Sequence, residues 1–88
     1  MEWEIVLSRQ AEKFLSKNRL PDLFVATLIA KAMQKLSGES VAADVKRLSG
    51  NWAGHYRVRH GKIRAIFSFR AEERRIFVEA VDYRGNVY

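Results

Sequence analysis

The sequence predicts an α+β domain: an N-terminal strand, a two-helix antiparallel hairpin and then an antiparallel three-stranded meander. Three observations carry that prediction. Apolar residues alternate at the start of the chain and again after residue 55, they recur at helical spacing in between, and glycines mark where the period changes. With 88 residues, 48% apolar and 30% charged, the chain reads as one globular domain over 1–88, too small for two cores.

The elements follow in order. "EWEIVL" sets Trp3, Ile5 and Leu7 against Glu2, Glu4 and Val6, the pattern of a half-buried strand. Ser8 is the expected N-cap of a first helix through "RQAEKFLSK". Pro21 suits the first turn of a second helix, "PDLFVATLIAKAMQKL", whose Phe24, Val25, Leu28, Ile29, Ala32, Met33 and Leu36 form one apolar face that Gly38 ends. "GESVAADVKRLSGNWAG" is turn-rich and reads as irregular. Three strands are expected near 55–60, 63–70 and 75–83, the last two separated by a turn at Glu72-Glu73.

A two-residue turn at Gly61-Lys62 sets the hairpin register, pairing His60 with Ile63, Arg59 with Arg64, and Val58 with Ala65. Residues opposite one another share a face, so Tyr56, Val58, Ala65, Phe67 and Phe69 are expected toward the helices. Arg57, Arg59 and Arg64 then point the other way. Like charges set directly opposite are destabilising unless something anionic lies between them, which leans this face toward phosphate. The plain alternative is a solvated, charged sheet surface.

Composition narrows the function classes. The absence of cysteine excludes a disulfide scaffold, a thiolate zinc site and a thiol nucleophile, and it fits a reducing cytoplasm. No apolar run approaches a membrane span, and the acidic start "MEWEIVLSRQ" is unlike a secretory signal, so a soluble, cytoplasmic protein with no membrane partner is expected. His55 and His60 differ in strand parity and have no acidic residue near them in the sequence, so no metal and no cofactor are expected. Trp52 reads as a core edge rather than a base-stacking platform, and Trp3 as core.

The charge is asymmetric. Residues 1–44 carry six basic and six acidic side chains, whereas residues 45–88 carry ten basic against four acidic, so the whole net charge of +6 sits in the second half. A basic surface of that kind implies an anionic partner, with nucleic acid or an acidic protein leading.

The order strand, two helices, basic meander, together with "LSGNWAGHYRVRHGKIRAIFSF" and the closing "VDYRGNVY", resembles the RelE branch of the RelE/ParE toxin superfamily over nearly the whole chain. The resemblance implies the β-α-α-β-β-β fold of that branch and the toxin half of a type II toxin–antitoxin pair. It implies a ribosome-dependent endoribonuclease (mRNA interferase) that cuts mRNA in the decoding site of the small subunit, and a cognate antitoxin that assembles with it into a hetero-oligomer. By the same resemblance Arg57 and Arg59 match the basic catalytic positions of one strand, and Arg64 matches the arginine that stabilises the scissile phosphate. Arg84 matches an arginine proposed to act as general acid or charge stabiliser, and Tyr88 a tyrosine that stacks on or positions the nucleotide.

Physical chemistry fits these roles. The substrate's own 2′-hydroxyl attacks the phosphate, so no metal is needed to supply a nucleophile, and guanidinium forks meet the charge that develops on the phosphoryl oxygens. Family members often carry lysine where Arg57 and Arg59 stand, and a lysine there has been proposed as general base. Arginine cannot take that role because it is effectively never deprotonated. His55 shares the strand parity of Arg57 and Arg59, and cationic neighbours oppose protonation of its ring, which makes it a candidate base beside Tyr88. Ser49 replaces the arginine usual in the Leu-Arg-Gly segment, with Lys46 and Arg47 close by; these two and Lys62 are the expected RNA contacts. Two other readings stay open, a ParE-like inhibitor of DNA gyrase that cuts nothing, and a non-catalytic basic binding module.

Overall fold

Ser8 turns the chain from strand to helix. Its hydroxyl accepts the Ala11 backbone N–H at 3.1 Å and so caps α1 (Arg9–Lys17) directly after β1 (Glu4–Leu7). α1 buries Ala11, Phe14 and Leu15, and α2 (Asp22–Leu36) buries Val25, Leu28, Ile29 and Ala32, one stripe from each amphipathic helix. Pro21 stands at the N-cap of α2 in an extended conformation, just outside the first turn expected for it. Past the C-cap, Gly38 takes a φ of +94° and donates its N–H to the Lys35 carbonyl. The structure is a computed structural model and describes residues 3–83; the predicted site residues Arg84 and Tyr88 lie outside the described residues.

Five strands form one mixed sheet in the order β1-β5-β4-β3-β2. β2 (Asp44–Arg47) is followed by a short 3-10 helix (Gly50–Trp52), then β3 (Tyr56–His60), β4 (Ile63–Arg70) and β5 (Arg75–Tyr83). β1 runs parallel to β5, and the other neighbours are antiparallel. The meander and its register hold as predicted, with Arg59 opposite Arg64 and Gly61 at φ +61° in the turn. One expectation fails. The segment 38–54, read as irregular, contains β2. In "DVKR" only Val45 packs against the core, where it lies opposite Val58, so no alternation marks the strand; its pairing with β3 creates it, and its charged side chains suit an outer edge.

One sheet face packs on both helices through Val58, Ala65, Phe67, Ile76, Val78 and Val81. Trp3 sits at the margin of this core, edge-on to Phe69. Val78 and Val81 are both buried although three residues apart, because Ile66 pairs with Ala80 and Phe67 with Val78, leaving Glu79 as the extra residue of a β-bulge. The start of α1 holds this bulge. Ser8 donates its backbone N–H to the Val78 carbonyl at 2.9 Å and its hydroxyl to the Glu79 carbonyl at 2.7 Å. The Gln10 side-chain amide donates to the Val81 carbonyl and accepts the Val81 N–H, each at 2.8 Å, extending the ladder beyond the end of β1.

Candidate phosphate-binding face

Arg57 and Arg59 on β3 and Arg64 on β4 share the sheet face turned away from the helices, as their parity predicts. Their burial counts against the plain alternative of a solvated, charged sheet surface. Arg57 and Arg64 each keep only 5% of their surface exposed, and Arg59 is half-buried. Carboxylates on the same face explain how the cations coexist. Asp44 stands opposite Arg59, and its Oδ1 lies 3.4 Å from Nη1 of Arg57. Asp82 stands opposite Arg64 in the β4–β5 register. The opposed arginines are therefore flanked by protein acids, and like-charge pairing alone does not call for an external anion.

His55 lies at the entrance to β3, and the structure gives it the acidic neighbour that the sequence did not reveal. Its Nε2 is 3.6 Å from Oε2 of Glu79, and its Nδ1 is 3.4 Å from the Ala53 carbonyl oxygen. Trp52, expected at the core edge, instead meets His55 edge-to-face, with ring centroids 5.3 Å apart. His60 points to the helix side, edge-on to Phe24 at 6.1 Å. Among the described residues no group of three or more His, Asp or Glu side chains could hold a metal ion.

The three predicted RNA contacts separate. Lys46 pairs with Arg57 and shares the arginine face. Arg47 lies opposite Tyr56 on the other face; its Nη2 donates to the Tyr56 hydroxyl at 3.5 Å, which raises a guanidinium pKa already far above neutrality. Lys62 is exposed in the Gly61-Lys62 turn. Sequence reasoning missed Asp44 and Glu79. Asp44 carried no signal, since its strand was not recognised; Glu79 did, as a carboxylate inside the otherwise apolar run "FVEAV".

The chain has the RelE-like fold, a strand and two helices followed by the strands of a mixed sheet. Solved structures similar to it include RelE-like proteins of toxin–antitoxin pairs. The toxin–antitoxin complex RelBE2 from Mycobacterium tuberculosis matches at 25% identity and TM-score 0.61, over 96% of this chain and 100% of that chain. The archaeal RelE–RelB complex from Pyrococcus horikoshii matches at 26% identity and TM-score 0.60, over 99% and 100%. The YoeB–YefM complex from Staphylococcus aureus, at 15% identity and TM-score 0.64 over 96% and 99%, shares the fold. No protein-family model and no curated protein matches the sequence. Among the described residues no helix is long and apolar enough to cross a membrane.

Proposed function

We propose that this chain is the toxin of a type II toxin–antitoxin pair and a ribosome-dependent, metal-independent endoribonuclease acting on mRNA in the cytoplasm. The observation that carries this reading is the convergence of Arg57, Arg59 and Arg64 on one face of a RelE-like sheet. In the reaction the 2′-oxygen bonds to phosphorus and the bond to the 5′-oxygen breaks, leaving a 2′,3′-cyclic phosphate and a 5′-hydroxyl. Guanidinium groups held by strand pairing are preorganised to meet the charge on the phosphoryl oxygens. Arg84 and Tyr88 remain part of this reading on the resemblance alone. A cognate antitoxin is the expected protein partner, since RelBE2 and RelE–RelB are complexes.

Arg59 is the residue on which to test it, because it is the most exposed of the three arginines. On programmed ribosomes, Arg59→Ala is expected to slow cleavage by about 100- to 1,000-fold, the usual cost of one preorganised charge-stabilising donor. Full-rate cleavage by that variant would sink the assignment of the face. A second reading, a ParE-like gyrase inhibitor or a non-catalytic basic module, draws support from the burial of Arg57 and Arg64 and the carboxylates beside them. Wild-type chain that inhibits growth and traps gyrase without cutting RNA would establish the gyrase inhibitor.

A further inference from the structure

The outer face of the sheet continues past the arginine cluster. Along β4, Arg64, Ile66, Ser68 and Arg70 alternate with the core residues Ala65, Phe67 and Phe69, so they share this face and span about 20 Å at about 3.4 Å per residue. Phe77 stands beside Ser68 here, with Val6 on its other side. Its neighbours Ile76 and Val78 enter the helix-side core, whereas the half-buried Phe77 ring takes no part in it. Val6, 37% exposed, carries the apolar surface to the sheet edge.

Charge is arranged around the ring. Toward one end lie Arg57, Arg59 and Arg64, flanked by Asp44 and Asp82. At the other end Arg75 is paired with Glu4 at 3.0 Å and Glu73 at 3.8 Å. Arg70, opposite Arg75, is exposed and among the described residues has no acidic group at ion-pair distance. Glu79, two residues along β5 from Phe77, reaches across the face to within 3.6 Å of His55. A carboxylate there repels phosphate but can accept N–H groups from a base edge, so the middle of the face suits a base and its two ends suit phosphates.

We propose that this face carries a single strand of RNA beyond the arginine cluster, with Phe77 stacking on a base and Arg70 holding the phosphate of a flanking nucleotide. Cations that follow the backbone and an aromatic ring that takes a base are the two elements by which proteins hold single strands with little sequence preference. The inference deepens the nuclease reading and rests on it only for the identity of the strand as mRNA; the binding itself belongs to the free chain.

The test uses the full chain and a fluorescent, mixed-sequence RNA of about twelve nucleotides, within the usual range of single-strand sites. Every 2′-oxygen is methylated so that the probe cannot be cut. Affinity is read by anisotropy between about 50 and 200 mM salt. Phe77→Leu keeps an apolar side chain but removes the ring, and it is expected to weaken binding by about 5- to 100-fold with the salt slope unchanged. Phe77→Tyr should bind like wild type. Arg70→Gln should instead lower the slope by about 0.7, the value for one phosphate contact to a single strand. Urea midpoints separate lost binding from lost fold, and the exposed Arg70 keeps the test open if Phe77→Leu is destabilised. Wild-type affinity in Phe77→Leu, an unchanged slope in Arg70→Gln, or no binding of the probe by wild type overturns the proposal. Displacement of the probe by polyglutamate, with Phe77→Leu as tight as wild type, assigns the face to an acidic protein segment and also overturns it. Ribosomal mRNA left uncut while both variants show their binding signatures removes the nuclease reading and leaves the RNA-binding face established.

Discussion

Arg64 combines a charge with a place in the packing, and that changes what its removal means. With 5% of its surface exposed, Arg64→Ala is expected to destabilise the fold by about 1–3 kcal/mol as well as abolish growth inhibition, since truncation empties buried volume. Arg64→Lys separates the two effects: it retains charge and most of the stem but loses the planar fork, so cleavage should fall while the urea midpoint moves little. Asp44 makes the converse case. Its carboxylate is largely exposed while the Arg57 guanidinium beside it is buried, so Asp44→Asn should cost about 1 kcal/mol by leaving a buried cation without its counter-charge. Replacing Arg57 itself by Met, which fills similar volume without charge, should cost less than Asp44→Asn; equal or greater loss in urea denaturation would show that the arginine stabilises beyond its ion pair.

At the level of elements, the bulge in β5 depends on α1. Gln10→Ala removes both bonds to the Val81 backbone and is expected to lower stability by about 1–3 kcal/mol, measured by thermal unfolding, with faster amide exchange at Val81. Gly61→Ala should cost about 1–2 kcal/mol from backbone strain alone, because φ is +61° and a Cβ there meets nothing within 4 Å. The same elements show how far the sequence could be read. α1, α2 and the β3–β4 hairpin follow from local signals: the Ser8 cap, the period of Val25, Leu28, Ile29 and Ala32, and the glycine turn that fixes Arg59 against Arg64. β2 and the bulge do not, because each arises from pairing with a distant partner. The arginine face was legible as a parity; its burial and its carboxylates were not, since Asp44 and Glu79 reach it only through those two features.

For the whole molecule, the net charge of +6 governs encounter more than fold. An antitoxin with an acidic or amphipathic segment is the expected partner, and its association should slow by at least about tenfold from low to high ionic strength, with little change in dissociation. Stopped-flow mixing at increasing salt checks this; an on-rate that stays flat would count against electrostatic capture.

The parallel pairing of β1 with β5 also orders events in time. Glu4 meets Arg75 across a sequence separation of 71, and the Arg75 Nε–Glu4 Oε1 contact of 3.0 Å joins the same two residues. During synthesis the first strand emerges early and must wait for its neighbour, because loop closure over that distance comes before any contact rewards it. The β2–β4 region, by contrast, is contiguous and can pair as soon as it leaves the ribosome. A nascent chain therefore assembles its arginine-bearing strands first and completes its sheet only once β5 has emerged through Tyr83, so the parallel strand pair is the last part of the sheet to close.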